Sequence, residues 1–403
     1  MGQVLSEPVT EKRSASGEDD RLIYGLSDMQ GWRISMEDAH ATILSLPTQE
    51  AGKKNSFFGV YDGHGGNSVA HFTGLNLHAF IAKQEAFTQG NYEQALKYAF
   101  LAIDEAILAD NRYNDDPSGC TATCCIVTDD NRIFTANAGD SRAVLGCRGQ
   151  SKPLSFDHKP QNEIEKARIC AAGGYVDFGR VNAIGDFEFK KNASISPENQ
   201  IVTAFPDVTE HQITADDEFI VVACDGIWDC QSSEEVIKFV RRGITADQEL
   251  HKICENLMDN CMAPSSETGG VGCDNMTVII VGLLQGKTKA EWYKMIADRV
   301  AQGDGPCAPP HYAECRGPGY RHNKDVIECS DDEFEKDYGL VDSQHSIQTR
   351  FIINEDGSRT LNSDKEMVQY NEEMEVQDET DASKVNGYPA ADLSTGNLNS
   401  ADQ

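Results

Sequence analysis

The chain is short of positive charge: 35 lysines and arginines face 66 aspartates and glutamates, for a formal net charge of −31 over 403 residues. Such a field repels phosphate backbones, so no nucleic acid partner is expected, while divalent cations and basic protein segments are drawn in. No apolar run approaches the ~20 residues that span a bilayer. None of the 13 cysteines forms a C-x-x-C pair, and their scattered, odd-numbered spacing suits neither a disulfide framework nor a zinc ribbon. With no secretory leader recognised, they read as small core hydrophobes of a reduced, intracellular protein, in cytoplasm, nucleus or both. A G-x-x-x-x-G-K-[ST] phosphate loop is missing as well, which argues against a nucleotide triphosphatase. Cysteine-nucleophile chemistry is likewise disfavoured.

What is present divides the chain into four stretches. Residues 1–20 are polar and read as a flexible arm, opening on "MGQVLS", where Gly2 and Ser6 have the spacing for N-myristoylation. One acyl chain gives weak, reversible membrane association, and the acidic chain adds little basic help. Residues 21–285 alternate apolar strands with helical patterns and form the expected core domain. Residues 286–341 read as a helical extension containing "TKAEWYKMIADRV" and "DDEFEKDYG", and 342–403 as an acidic, disordered tail. Within the core domain, "GNSVAHFTGLNLHAFIAKQ" and "NYEQALKYAFLAIDEAILAD" carry helical apolar spacing. The run "CTATCCIVTDDNRIFTANAGDSRAVLGCRG" reads as three strands in a meander. "SSEEVIKFVRRG" has a serine cap and an acidic first turn. Hairpins beside long helices argue for an α+β protein of layered antiparallel sheets and helices.

Acidic residues recur where apolar strands stop. "FFGVYDG" places Asp62 after a strand, "IFTANAGDS" does so for Asp140, and "EFIVVACDG" for Asp225. "GCDNMTVII" sets Asp274 before one, and Glu37–Asp38 follow "GWRISM". A lone Asp-Gly is usually a turn. Several at the ends of antiparallel strands can meet at one rim, where they repel unless a cation or protons compensate. An oxygen-rich set with few organised histidines favours Mg²⁺ or Mn²⁺ over zinc. His64 is placed to give a proton beside such a site, and Arg33 to grip phosphate oxygens with its planar guanidinium.

The ordered set "GWRISMEDAH", "FFGVYDGHGG", "SGCTATC", "ANAGDSRAVL", "VVACDGIWD" and "GCDNMTVII" resembles metal-dependent serine/threonine protein phosphatases of type 2C, fungal and other eukaryotic members among them. The resemblance spans residues 21–284. It implies a four-layer α–β–β–α sandwich with two mostly antiparallel sheets and a metal cleft at one edge. It further implies a monomer acting on phosphoserine and phosphothreonine proteins. Asp62 and the Gly63 carbonyl would serve two core ions, Asp225 and Asp274 the other side of the pair, and Glu37 would act directly or through water. Asp140 would share a weaker third ion with Asp225, and Asp38 would accompany Glu37. Arg33 would clamp the phosphate and His64 would be the general acid, while a water activated by two metals attacks phosphorus.

The resemblance breaks at one place. After "GRVN" the chain runs from Asn182 straight into Ala183, omitting about seven residues that read GxLAxSR in the family, and such a loss can shift register or expose strand edges. The apolar residues of "AIGDFEF" are the expected replacement. The alternative is a catalytically impaired, phosphatase-like scaffold that binds phosphoproteins.

Overall fold

All eight residues of the strand Met276–Leu283 are buried, and alternate side chains enter different cores. Met276, Val278 and Ile280 pack one way; Ile279, Val281 and Leu283 pack the other. A strand buried on both faces is nearly continuously apolar, here broken by Thr277, and its period of two feeds both sides. In this computed structural model the described residues are 4–47, 53–113, 115–176, 183–266 and 270–309, with two short strands at 350–353 and 359–362.

The buried strand is β14, central in a six-stranded antiparallel sheet. Its companions, in spatial order, are β1 (Val4–Glu18), β2 (Leu22–Arg33), β14 itself, β13 (Asp217–Ala223), β9 (Arg142–Cys147) and β10 (Gln150–Pro153). A five-stranded sheet runs β12 (Asp207–Gln212), β8 (Arg132–Ala138), β7 (Ala122–Val127), β4 (Ser56–Tyr61) and β3 (Ala39–Ile43). Leu26, Phe58, Val60, Ile133, Leu145 and Ile220 fill the space between the sheets.

Helices α1 (Ser68–Lys83), α2 (Glu85–Thr88) and α3 (Tyr92–Leu108) cover the five-stranded sheet through Leu77, Leu96, Phe100 and Ile103. The six-stranded sheet is covered by α6 (Ser233–Thr245), α7 (Leu250–Cys261) and α8 (Lys289–Ala301), through Val240, Ile253, Leu257 and Trp292. Ser232 and Thr288 each start a helix with a full capping box, to Glu235 and Glu291. Two shorter helices, α4 (Glu163–Ala171) and α5 (Asp225–Trp228), complete the set among the described residues. The four-layer sandwich is therefore present. A third, small sheet accompanies the two expected ones: β11 (Ile184–Gly185), β6 (Gly119–Cys120) and β5 (Gly63–His64).

Several expectations are corrected. Residues 4–18 are not a loose arm: they form β1, paired with β2 from Val4↔Arg33 to Glu18↔Ile23. Polar sequence hid this strand because polar contacts hold it, Lys12 to Asp259 at 2.6 Å, Ser14 to Glu255 at 2.7 Å and Arg13 to Asp28 at 2.7 Å. Pro8 falls where the register slips, as suits an edge strand. The meander is broken too, since β7 and β8 pair in one sheet while β9 crosses to the other. The helix read in "TKAEWYKMIADRV" is α8, which belongs to the core layer through Trp292 and Ile296. "DDEFEKDYG" and Gly2 lie outside the described residues. Within the stretch read as a disordered tail, Arg350–Ile353 pairs antiparallel with Arg359–Asn362.

The shortened region is filled as its apolar residues suggest. Asn182 lies outside the described residues, but Ala183 and Ile184 are fully buried. Ile184 joins the core under α1 and α3 and pairs with Cys120. Lys190 donates to both carboxylate oxygens of Asp104 on α3, at 3.0 and 2.8 Å, and to the Ala183 carbonyl at 2.8 Å. Gly185 N–H donates to the same carboxylate at 2.8 Å.

Candidate active site

The chain changes sheets, or enters and leaves strands, at one end of the sandwich, and the acidic residues sit on those junctions. Glu37 and Asp38 lie on the crossing from β2 to β3, and Asp140 on the crossing from β8 to β9. Asp62 follows β4, Asp225 follows β13 as the first residue of α5, and Asp274 precedes β14. The registers Ala223↔Val278, Met276↔Met29 and Ala122↔Ala138 bring these strand ends together at one rim.

Close backbone approach tightens the rim. A Cβ on Gly63 would lie 2.1 Å from the Glu37 carbonyl oxygen, so only glycine lets the two acidic segments meet. Thr121 N–H donates to the Asp62 carbonyl at 2.9 Å. Asn275 fixes the other side: its Oδ1 accepts from Glu37 N–H at 2.9 Å, while Nδ2 donates to the Gln30 and Ser35 carbonyls at 2.8 and 3.0 Å. Glu37 is also held by the Ser35 hydroxyl at 2.7 Å. Asp38 is buried and accepts from the Thr277 hydroxyl at 2.7 Å.

Charge is concentrated there. Burial, reinforced by the Asp62, Asp140, Asp274 and Asp229 carboxylates, holds Asp225 well above the ordinary carboxylate range. Burial pushes Asp38 up to about 7, against the Thr277 hydrogen bond and with help from Asp274 and Asp225. Asp229 is also raised, by burial first and by Asp140, Asp274 and Asp157, while Lys159 opposes the rise. Arg33 brings a positive charge to this edge, 2.5 Å from Asp274 Oδ2.

His64 stands beside the carboxylates on β5, and its Nε2 is 2.8 Å from Asp186 Oδ2. That contact passes over Gly119, where a Cβ would lie 2.7 Å from both His64 Nε2 and Asp186 Cγ. Asp186 follows β11 directly, so the shortened segment itself delivers the partner of the histidine.

Each residue expected at the site is thus at this rim, apart from Gly2, which lies outside the described residues. Sequence reading passed over Asp186, Asp229 and Asn275. Asp229 was visible in "DGIWD", one helical turn after Asp225; Asn275 adjoins Asp274 in "CDN"; Asp186 had no signal before its contact with His64 was known. One Cys-x5-Arg spacing does occur, Cys315 to Arg321, outside the described residues.

Among the described residues no three His, Cys, Asp or Glu side chains stand in ready-made ligating geometry. The donor set nevertheless suits a hard cation. Asp140 Oδ1 and Asp225 Oδ1 are buried, and among the described residues neither meets a hydrogen-bond donor. Buried carboxylate oxygens lacking donors, crowded by like charge, are satisfied by a divalent ion with oxygen preference.

The Protein phosphatase 2C family profile matches residues 22–269. The chain is 61% identical over 373 residues to "Protein phosphatase 2C homolog 2" of Hypocrea jecorina, covering 90% of this chain and 85% of that protein. It is 61% identical over 337 residues to "Protein phosphatase 2C homolog 3" of Schizosaccharomyces pombe, covering 81% of each. Among solved structures, a serine-threonine phosphatase 2C from Toxoplasma gondii shares the fold with a TM-score of 0.58 at 17% identity, covering 68% of this chain and 99% of that one.

Proposed function

The chain belongs to the protein phosphatase 2C family, and from that premise we propose how its own residues divide the work of phosphoester hydrolysis. It is a metal-dependent serine/threonine protein phosphatase. The observation that best supports the residue assignment is the mutual electrostatic pressure of Asp62, Asp140, Asp225 and Asp274.

Asp62, the Gly63 carbonyl, Asp225 and Asp274 would hold two Mg²⁺ or Mn²⁺ ions, with Glu37 contributing directly or through water. Asp140 would hold a weaker third together with Asp225. When bound, such ions supply a water of lowered pKa and neutralise phosphoryl oxygens. Asn275 and Ser35 keep Glu37 aimed at the rim. Asp38 ties the crossing after β2 to Thr277 at the start of β14. Arg33, resting on Asp274, turns its guanidinium to the substrate phosphate and orients the dianion. His64 protonates the departing serine or threonine oxygen. The Asp186 carboxylate at Nε2 orients the imidazole for that transfer.

The shortened segment supports activity rather than a scaffold role, because Ile184 is in the core and Asp186 reaches His64. Substrates are phosphoserine and phosphothreonine proteins, met by a monomer in cytoplasm and nucleus. Acylation of Gly2 would add weak, reversible membrane contact, and mass spectrometry of the N-terminal peptide decides that point.

The assignment is tested by titrating the full chain and its Asp62→Asn and Asp225→Asn variants with Mn²⁺ calorimetrically, alongside hydrolysis of a phosphothreonine peptide. Both variants should lose ion binding and turnover while remaining folded. Undiminished Mn²⁺ binding in both would refute it.

A further inference from the structure

Where the chain crosses from one sheet to the other after β8, the strand ladders stop at Ala138 and resume at Arg142. Asp140 is the middle residue of that crossing, and its carboxylate is pressed by those of Asp225 and Asp229. Like charges drive an unsupported crossing outward, away from the rim. Something other than strand pairing must hold it.

The dipeptide Asp157–His158, on the connection from β10 to α4, brackets the crossing from both sides. After Asp140, Asp157 takes the Arg142 guanidinium in two bonds, at 2.8 and 2.7 Å. Before it, the buried His158 takes both backbone groups of Gly139. The His158 N–H donates to the Gly139 carbonyl at 2.9 Å, and its Nδ1 accepts from Gly139 N–H at 3.3 Å. Asn137 Nδ2 is a second donor to the same carbonyl, at 2.9 Å. Gly139 has a φ of +117°, which side chains rarely tolerate, so the turn is set at its first residue. Ser141 shares a 2.7 Å hydrogen bond with the Thr121 hydroxyl, and Thr121 N–H supports the Asp62 carbonyl.

The tautomer of His158 follows from its partners. A backbone N–H can only donate, so Nδ1 is unprotonated and the ring proton sits on Nε2. Nε2 is 3.1 Å from Asp207 Oδ2 at the start of β12, and this bond, opposed by burial, holds Asp207 below the usual carboxylate range. Asp207 thereby fixes the tautomer that Gly139 requires.

We propose that His158 is a positioning residue for Asp140. Through Nδ1 on Gly139 N–H it keeps that carboxylate at the rim, ready for the weaker third ion. This rests on the assignment of Asp140 to that ion. His158 acts through the backbone and is not itself a ligand.

Two substitutions separate this role from packing. Asparagine Oδ1 lies as many bonds from Cβ as histidine Nδ1, so His158→Asn keeps an acceptor for Gly139 and gives up Asp207. The glutamine amide lies as far out as Nε2, so His158→Gln keeps the reach to Asp207 and gives up Gly139. The full chain and its variants are titrated calorimetrically with Mn²⁺, and melting temperatures without metal report folding. Asp140→Asn should abolish the weaker binding step. His158→Gln should weaken that step by about tenfold or more and leave the tighter binding in place. His158→Asn should retain more of it. A packing role alone gives the reverse order, because glutamine fills the space of histidine better than asparagine does. The Mn²⁺ concentration that half-saturates phosphothreonine-peptide hydrolysis should rank the variants in the same way, with KM for the peptide unchanged. Asp207→Ala, at an exposed side chain, should weaken the step severalfold by releasing the tautomer. An unchanged weaker step in His158→Gln, or a larger loss in His158→Asn, would overturn the proposal. If a His158 variant does not fold, Asp207→Ala decides, and an unchanged weaker step there overturns it as well. If Asp140→Asn itself keeps the weaker step, the assignment of Asp140 is what fails, and the proposal falls with it.

Discussion

Replacing Asp104 by alanine tests whether the shortened segment is held in place from α3. The Asp104 carboxylate takes Gly185 N–H and Lys190 Nζ, and both ionic side chains are largely buried, at 14% and 8% exposure. Removing the acid leaves a buried ammonium with the Ala183 carbonyl as its remaining acceptor among the described residues, and strips the Gly185 amide of its partner. Breaking a buried pair from one side costs ~3–5 kcal/mol, more than the pair itself contributes, because the surviving charge stays desolvated. At ~2 °C per kcal/mol for a large single domain, ~4 kcal/mol lowers the melting temperature by ~8 °C. Two controls separate charge from packing. Asp104→Asn keeps an acceptor for Gly185 and should cost less. Asp104→Leu combined with Lys190→Met should recover much of the loss, since an apolar pair leaves no orphaned charge. Urea denaturation supplies the free energies. Phosphothreonine-peptide hydrolysis supplies the functional readout, because Asp186, the neighbour of Gly185, carries the contact to His64. If Asp104→Ala costs under ~1 kcal/mol, or the double variant is worse than Asp104→Ala alone, the account of this anchor is wrong.

Three further outcomes are expected. His64→Gln should slow phosphothreonine-peptide turnover by about 10²-fold or more yet barely affect an aryl phosphate, whose leaving group departs without a proton; Asp186→Asn should show the same leaving-group pattern with a smaller loss, and equal losses on both substrates would remove His64 from the proton-transfer role. Arg33→Ala should raise KM for phosphopeptides by about tenfold or more, read from steady-state kinetics, since a charge-assisted grip on phosphate is lost; an unchanged KM would leave Arg33 as a partner of Asp274 alone. Without metal, folded Asp38 titrates near 7 rather than 3.8 and Asp225 is raised as well, so the native state binds protons that the unfolded chain releases, and stability should fall as pH rises through that window. Mn²⁺ displaces those protons, so its gain in melting temperature should grow with pH over the same range, and a gain independent of pH would contradict the carboxylate cluster.

The sequence by itself determined the core strands, the capped helices and the acidic residues at strand ends, because period, caps and turn chemistry are local. Nearly continuous apolar runs such as Met276–Leu283 announce burial on both faces, and "SSEE" announces a helix start. Pairing is not local. That β9 leaves β8 for the other sheet, carrying Asp140 across the rim, depends on which strand lies beside it. The polar β1 became a strand because α7 offers Asp259 and Glu255 to Lys12 and Ser14, side chains more than 240 residues away in sequence. The same holds for the break after Asn182. Sequence could show that residues were missing there and that "AIGDFEF" was apolar enough to fill the gap. Tertiary structure decided the rest: Ile184 sits in the core, Asp104 and Lys190 fasten the segment, and Gly119 leaves room for Asp186 to reach His64. Local pattern fixes which groups are available, and long-range packing fixes which of them meet.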